Sequence, residues 1–188
     1  VVVRRPAPVQ LSWIGYLDTE GTEAIDHRLT DAACDPVGLT EAYHVESLWR
    51  LETMWCYEPP ANAPATSPPP ALAGRGITFG STNNPAKLSD SILRLWAALL
   101  RRVAGSRIVL HAHDDRLCRD RISRLFADEG IDADRVSFIG RRPLADYFGD
   151  LSAMDIVLDT WPYSGGTTTC DALWMGVPVV TLAGERPY

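Results

Sequence analysis

The stretch 159–178, DTWPYSGGTTTCDALWMGVP, gathers residue types that suit a phosphorylated ligand. It leaves an apolar segment, turns through Gly165-Gly166 and enters a predicted helix on Thr167, Thr168 and Thr169. Glycine lets the backbone approach a ligand closely. A helix start contributes N–H groups without intrahelical partners and the positive end of the peptide dipole, and here it adds three hydroxyls. Asp171 lies one turn past Thr167 on the same face. A carboxylate there repels phosphate but accepts hydrogen bonds from ribose hydroxyls. The plainer alternative is a threonine N-cap with Asp171 offsetting the helix dipole, although one cap does not require three threonines.

A second group, GSTNNPAKLSDS at 80–91, places Asn83, Asn84 and Lys87 in a loop ahead of a long predicted helix. Lys87 falls near the helix start, where the dipole disfavours a cation. A cation placed against its dipole points to a nearby anion; the alternative is a solvated loop lysine. Both loops are expected at the same edge of one sheet, which favours a shared anion site.

Other signals carry less. His111 and His113 alternate on a predicted strand and so point the same way, but no third ligand stands at metal spacing, and no metal site is expected. Arg141-Arg142 reads as a solvated loop that could also help hold phosphate. Asp114-Asp115 suits a helix N-cap. Trp49, Trp55 and Trp96 read as core. P-loop, nucleophile-elbow and zincin motifs are absent from the sequence.

The elements that must position these loops are legible from hydrophobic patterning. A short apolar strand at 77–80 precedes Leu88, Ile92, Leu95, Trp96, Leu99, Leu100 and Val103, the stripe of an amphipathic helix. Strands at 107–112, 136–140, 155–159 and 177–182 alternate with predicted helices at 115–129, 143–153 and 167–175. Such alternation predicts an α/β fold, a parallel sheet covered on both faces with ligands at the carboxyl ends of its strands. Upstream, Pro59, Pro60, Pro64, Pro68, Pro69 and Pro70 supply six of the fourteen prolines, so 58–75 reads as a semi-extended linker. In the leading part, 9–16, 25–30 and 54–57 are candidate strands. No complete βαβ unit is expected in 1–57, which reads as the tail of a domain.

Composition bounds the rest. Hydrophobic residues at 46% and charged residues at 22% are ordinary for a soluble globular chain. A net charge of −6 argues against a nucleic-acid or anionic-membrane partner. The scattered cysteines Cys34, Cys56, Cys118 and Cys170 predict a reduced, cytoplasmic protein. No signal peptide or membrane span is read. The chain opens on Val1 and stops after a strand-like segment, so it reads as a fragment of something longer.

Residues 162–180, PYSGGTTTCDALWMGVPVV, closely resemble the signature of the O-GlcNAc transferase family, in its bacterial and SPINDLY-like branch. RRPAPVQLSWIGY at 4–16 and TFGSTNNPAK at 78–87 do likewise, in the family's order. The resemblance implies a GT-B architecture of two Rossmann-like domains. In that frame 1–57 ends the N-terminal catalytic domain, and 76–188 is a truncated C-terminal UDP-sugar-binding domain. It implies transfer of GlcNAc from UDP-GlcNAc to Ser/Thr hydroxyls of proteins, with inversion at the anomeric carbon, no cofactor and no metal. Tetratricopeptide repeats are implied elsewhere in the longer protein.

Carried over residue by residue, Lys87 matches the lysine that contacts the diphosphate and supports the leaving group. Asn84 matches a nucleotide contact, Thr167 and Thr168 the phosphate-binding threonines, and Asp171 the ribose aspartate. Tyr147 falls where the family commonly has a histidine packing on uracil, and Gly166 where animal enzymes have a histidine. Leu17-Asp18 replaces a Pro-Gly, and Thr82 and Pro85 alter the lysine loop. The family's histidines near sugar and acceptor belong to a part not included here, so this fragment alone is not expected to turn over. Two rival readings remain. One is another GT-B sugar-nucleotide transferase, against which the lack of any glutamate between Glu129 and Glu185 counts. The other is a non-catalytic UDP-binding or interaction module.

Overall fold

The computed structural model describes residues 2–112 and 115–184. The chain divides into two compact units, the second of which is Pro59–Leu182. The proline-rich stretch read as a linker is thus counted with the second unit.

The first unit carries three short parallel strands in the order β1 (Leu11–Ser12), β2 (His27–Asp31) and β3 (Ser47–Leu51). Only two residues of the predicted strand 9–16 pair, and 54–57 forms no strand. The strand at Ser47–Leu51 has no counterpart in the sequence pattern. The strands pair in parallel without forming a complete βαβ unit: residues 13–26 and 32–46 cross over with no α-helix. Side chains take over the work of helix hydrogen bonds. Glu46 accepts from Thr19 Oγ1 at 2.7 Å and from the Glu20 N–H at 2.6 Å. Arg28, fully buried, donates to the Asp18 carbonyl at 2.7 Å. Asp31 accepts the N–H groups of Ala33, Cys34 and Met54 at 3.0, 2.9 and 2.9 Å.

The second unit is a doubly wound sheet. Its strands are β4 (Thr78–Ser81), β5 (Arg107–His111), β6 (Val136–Ile139), β7 (Ile156–Leu158) and β8 (Val179–Val180). All pairs are parallel, in the order β6-β5-β4-β7-β8. The helices α1 (Asp90–Arg102), α2 (Arg116–Asp128), α3 (Leu144–Ser152) and α4 (Thr167–Trp174) fall where the sequence predicts them.

Period-two alternation sorts the strands between two cores. Ile108, Leu110 and Leu158 join α1 and α2 around Leu93, Trp96, Leu100 and Phe126. Val109 and Val157 join α3 and α4 around Phe148, Leu151, Ala172 and Met175. Leu95, predicted to lie on the inner stripe, is instead 60% exposed. The buried face is turned from the predicted stripe, taking in Leu93 and Ala97 beside Ile92, Trp96 and Leu100, with Leu99 and Val103 at its margin. A Cβ at Gly80 would lie 2.1 Å from Met154 Sδ, so any larger residue there would have to push the buried Met154 side chain aside. Asp115 caps α2 by accepting the Cys118 N–H at 3.1 Å. His113 and Asp114 lie outside the described residues, so neither the histidine pair nor the second cap aspartate is placed.

The segment 59–75 packs on this unit rather than running free. Asp155 accepts the Ala71 N–H with one carboxylate oxygen and the Thr78 N–H with the other, each at 2.8 Å. Ala63 rests against the α3–α4 core.

Candidate functional site

Strand order reverses around β4: the chain steps outward through β5 and β6, then returns to build β7 and β8 on the other side. Loops leaving β4 and β7 diverge at this point, which opens a crevice at the carboxyl edge of the sheet. The two sequence constellations are these two loops.

After β4, one turn of 3-10 helix spans Pro85–Lys87, and Asn84 caps it by accepting the Ala86 N–H at 3.0 Å. The turn aims Lys87 at the loop after β7, where Nζ donates to the Ser164 carbonyl at 2.8 Å. The same ammonium sits 4.2 Å from the centre of the Tyr163 ring, a cation–π contact. Burial pushes the Lys87 pKa down from its ordinary value, and the charge of Asp159 opposes that fall.

On the β7 side the Gly165 turn is packed tight. A Cβ at Gly165 would lie 2.7 Å from Thr168 Oγ1 and 2.9 Å from Asn83 Oδ1. Thr168 Oγ1 donates to Asn83 Oδ1 at 3.3 Å, and Thr169 Oγ1 to the Gly165 carbonyl at 3.1 Å. Gly166 stands at the N-cap of α4, its carbonyl accepting from the Thr169 and Cys170 N–H groups at 3.0 and 3.1 Å. The Thr167 and Thr168 N–H groups are left at the open start of α4, at the dipole's positive end and on the same loop edge as Lys87.

Behind this turn lies a cavity of about 400 Å³ whose lining includes Thr82, Arg141, Arg142, Tyr147, Thr168 and Asp171. The Tyr147 hydroxyl donates to Asp171 Oδ2 at 2.9 Å, so the residue matched to base packing and the residue matched to ribose meet directly. Thr82 Oγ1 is buried without a hydrogen-bond partner, an acceptor and donor held in reserve on the cavity wall. Arg142 pairs with Asp150 at 3.3 Å. Burial pushes the Asp150 pKa up, with Arg142 and His111 working against the rise and Asp146 adding to it. A groove of about 500 Å³ along α1 and β8 is larger, but Ile92, Trp96, Leu99 and Leu182 make it chiefly apolar. It lacks the convergent donors that an anion needs.

The structure brings Lys87, Gly166 and Thr168 together at the crevice mouth, and Tyr147, Thr168 and Asp171 around the cavity. Thr167 opens α4 on an exposed position. Asn84 is exposed too, its side chain engaged in the cap of its own turn. Arg141 and Arg142, read first as a solvated loop, line the cavity wall. The sequence marks Asp159 only as the start of the motif, yet its carboxylate organises the loop, accepting from Asn83, Thr160, Gly165 and Thr181. An acidic residue ending an apolar strand directly before a glycine turn was the available signal.

The model for the glycosyl transferase family 41 matches residues 68–186. A probable UDP-N-acetylglucosamine–peptide N-acetylglucosaminyltransferase SPINDLY from Oryza sativa subsp. japonica is 45% identical over 187 residues, covering 96% of this chain and 20% of the relative. The chain thus spans about a fifth of the length of the relatives it matches. A mutant O-GlcNAc transferase of Thermobaculum terrenum superposes with a TM-score of 0.88 at 33% identity, over 99% of this chain and 35% of that one. Sucrose-phosphate synthase from Thermosynechococcus elongatus shares the fold alone, with a TM-score of 0.55 at 16% identity over 82% of this chain and 40% of that one. The parallel α/β sheets are those of a GT-B glycosyltransferase, and the chain belongs to glycosyl transferase family 41.

Proposed function

We propose that this chain is the donor-binding part of a UDP-GlcNAc-dependent protein O-glycosyltransferase, which transfers GlcNAc to Ser/Thr hydroxyls of protein acceptors. The observation that carries the reading is the meeting of Lys87 Nζ with the Ser164 carbonyl, 2.8 Å apart, at the mouth of the Gly165-Gly166 turn. A cation and a helix start then share one crevice, at the sheet position where α/β folds bind nucleotides.

As the sugar leaves, charge grows on the UDP diphosphate. Preorganised donors aimed at that charge are typically the largest catalytic contribution. Lys87 supplies the cation and the α4 start, with Gly166, Thr167 and Thr168, supplies N–H groups and hydroxyls, so the reading needs no divalent metal. Asp171 would take ribose hydroxyls, with Tyr147 beside the base and Asn84 at the loop rim. The relatives named as UDP-N-acetylglucosamine–peptide transferases support this donor and acceptor. Their greater length leaves room for tetratricopeptide repeats and for the remainder of the acceptor side of the cleft. The four thiols are unpaired, which suits a reducing, cytoplasmic setting. No described helix is long and apolar enough to cross a membrane.

Calorimetry of the chain with UDP, UDP-GlcNAc and ADP tests the reading. UDP and UDP-GlcNAc should bind, ADP should bind at least about tenfold more weakly, and Lys87→Ala should weaken UDP by about 1.5–3 kcal/mol, the worth of a hydrogen bond to a charged group. No binding of either uridine ligand would leave an interaction module as the better description.

A further inference from the structure

Asp159 directly follows β7 and is buried, 7% exposed. Its Oδ1 accepts from Asn83 Nδ2 at 3.0 Å, from the Thr160 N–H at 2.8 Å and from the Gly165 N–H at 2.7 Å. Its Oδ2 accepts from Thr181 Oγ1 at 2.9 Å. These donors come from the loop after β4, the end of β7, the glycine turn and the exit of β8. We propose that Asp159 is a positioning residue: its carboxylate locks the Gly165 turn against the β4 loop, and its charge acts on Lys87 through that turn.

Several contacts support this assignment. Lys87 donates to the carbonyl of Ser164, and the next residue's N–H is bound to Asp159, so the ammonium and the carboxylate grip adjacent peptide groups. The turn has no slack, because a Cβ at Gly165 would lie within 3 Å of Thr168 Oγ1, Thr169 Oγ1 and Asn83 Oδ1. Asn83 is shared: its amide donates to Asp159 while its carbonyl accepts from Thr168. A buried network with every member paired has one geometry. Burial alone would favour an uncharged Lys87, and the negative charge of Asp159 counters it. Both carboxylate oxygens of Asp159 are thus engaged by the protein itself. The residue acts through Lys87 and through the backbone that precedes α4.

The functional meaning rests on the donor-site reading, but the test does not need UDP. Asp159→Asn keeps an oxygen toward Asn83, Thr160 and Gly165 and turns an amide toward Thr181, whose hydroxyl can accept, so it removes little but the charge. Titrated through its side-chain carbon and nitrogen resonances, Lys87 in this variant should lose its proton at lower pH than in the unchanged chain. The Thr160 and Gly165 amides should stay protected from hydrogen exchange. Asp159→Ala removes the acceptors as well, and those two amides should then exchange about tenfold faster or more, the scale of one lost hydrogen bond to a charged group. A Lys87 titration unchanged by Asp159→Asn in a folded chain overturns the proposal, as does unchanged Gly165 exchange in Asp159→Ala. Should the alanine variant fail to fold, the asparagine variant decides alone. If these resonances move as stated while UDP does not bind, the donor-site reading falls and the coupling stands.

Discussion

The two units solve the same problem, parallel strand pairing, with different materials. In Pro59–Leu182 the strands are sealed by apolar side chains on both faces, and Leu93, Leu100, Ile108, Leu110, Ile122 and Leu151 show no exposure at all. In the first unit the described buried apolar side chains are only Leu17, Ala24, Ile25 and Met54. Its interior is polar instead: Arg28, Thr30, Asp31, Asp35 and Glu46 are buried, and each is held by hydrogen bonds. Asp35 alone accepts from Thr30 Oγ1 at 2.5 Å and stands 3.1 Å from His44 Nε2. Apolar burial is non-directional and tolerates small shifts. A buried polar network does not, because each unmade bond costs nearly the full desolvation of the orphaned group.

The sharpest way to break this contrast is Asp31→Ala. Three N–H groups lose their acceptor, and at about 1–2 kcal/mol each the loss of roughly 3–6 kcal/mol should abolish amide protection across His27–Asp31 and Ser47–Leu51. Retained protection there would mean that the polar interior is ornament and something else holds the strands. In the second unit Leu93→Ala should cost about 2–5 kcal/mol, read as a lower urea midpoint for the Thr78–Ser81 and Arg107–His111 amides. A cost under about 1 kcal/mol would show that this core is as adaptable as a surface.

Acid should separate the units further. Burial raises the pKa of Asp31, but the N–H groups of Met54, Cys34 and Ala33 outweigh it and the net shift is downward. Glu46 behaves alike, burial being outweighed by Thr19, the Glu20 N–H and His44. A carboxylate depressed in the folded state gives stability above its unfolded pKa and loses it as pH falls through the folded one. The first unit should therefore weaken at acidic pH. Asp150, raised by burial, has the opposite sign and should slightly favour the second unit as pH falls. Residue-resolved exchange against pH would check this, and a first unit insensitive to acid would contradict it. The smallest effect should come from Trp49→Ser. This residue is 56% exposed, and its loss should move stability by no more than about 0.5 kcal/mol.

The same contrast explains what the sequence disclosed. The strands and helices from residue 78 onward were legible because burial is written in period-two and period-3.6 apolar patterns. SLWRL at 47–51 escaped because its alternation runs between partly buried and exposed positions, with no apolar inner face to mark it. The meeting of the 80–87 loop with the glycine turn at one edge of the sheet was readable from residue type and loop position. Asp159 was not, because the partners that give it meaning, Asn83, Gly165 and Thr181, come from distant loops that only the fold brings together.

Asp155 bears on how the molecule can be dissected. Because its carboxylate holds both Ala71 and Thr78, a domain cut to begin at residue 76, where the apolar pattern starts, would strand a buried acceptor that the longer chain satisfies. The α3–α4 core would also lose Ala63 from its wall. A piece beginning at Pro59 keeps both, so for anyone wishing to express the second unit alone the proline-rich stretch is part of the object and not its packaging.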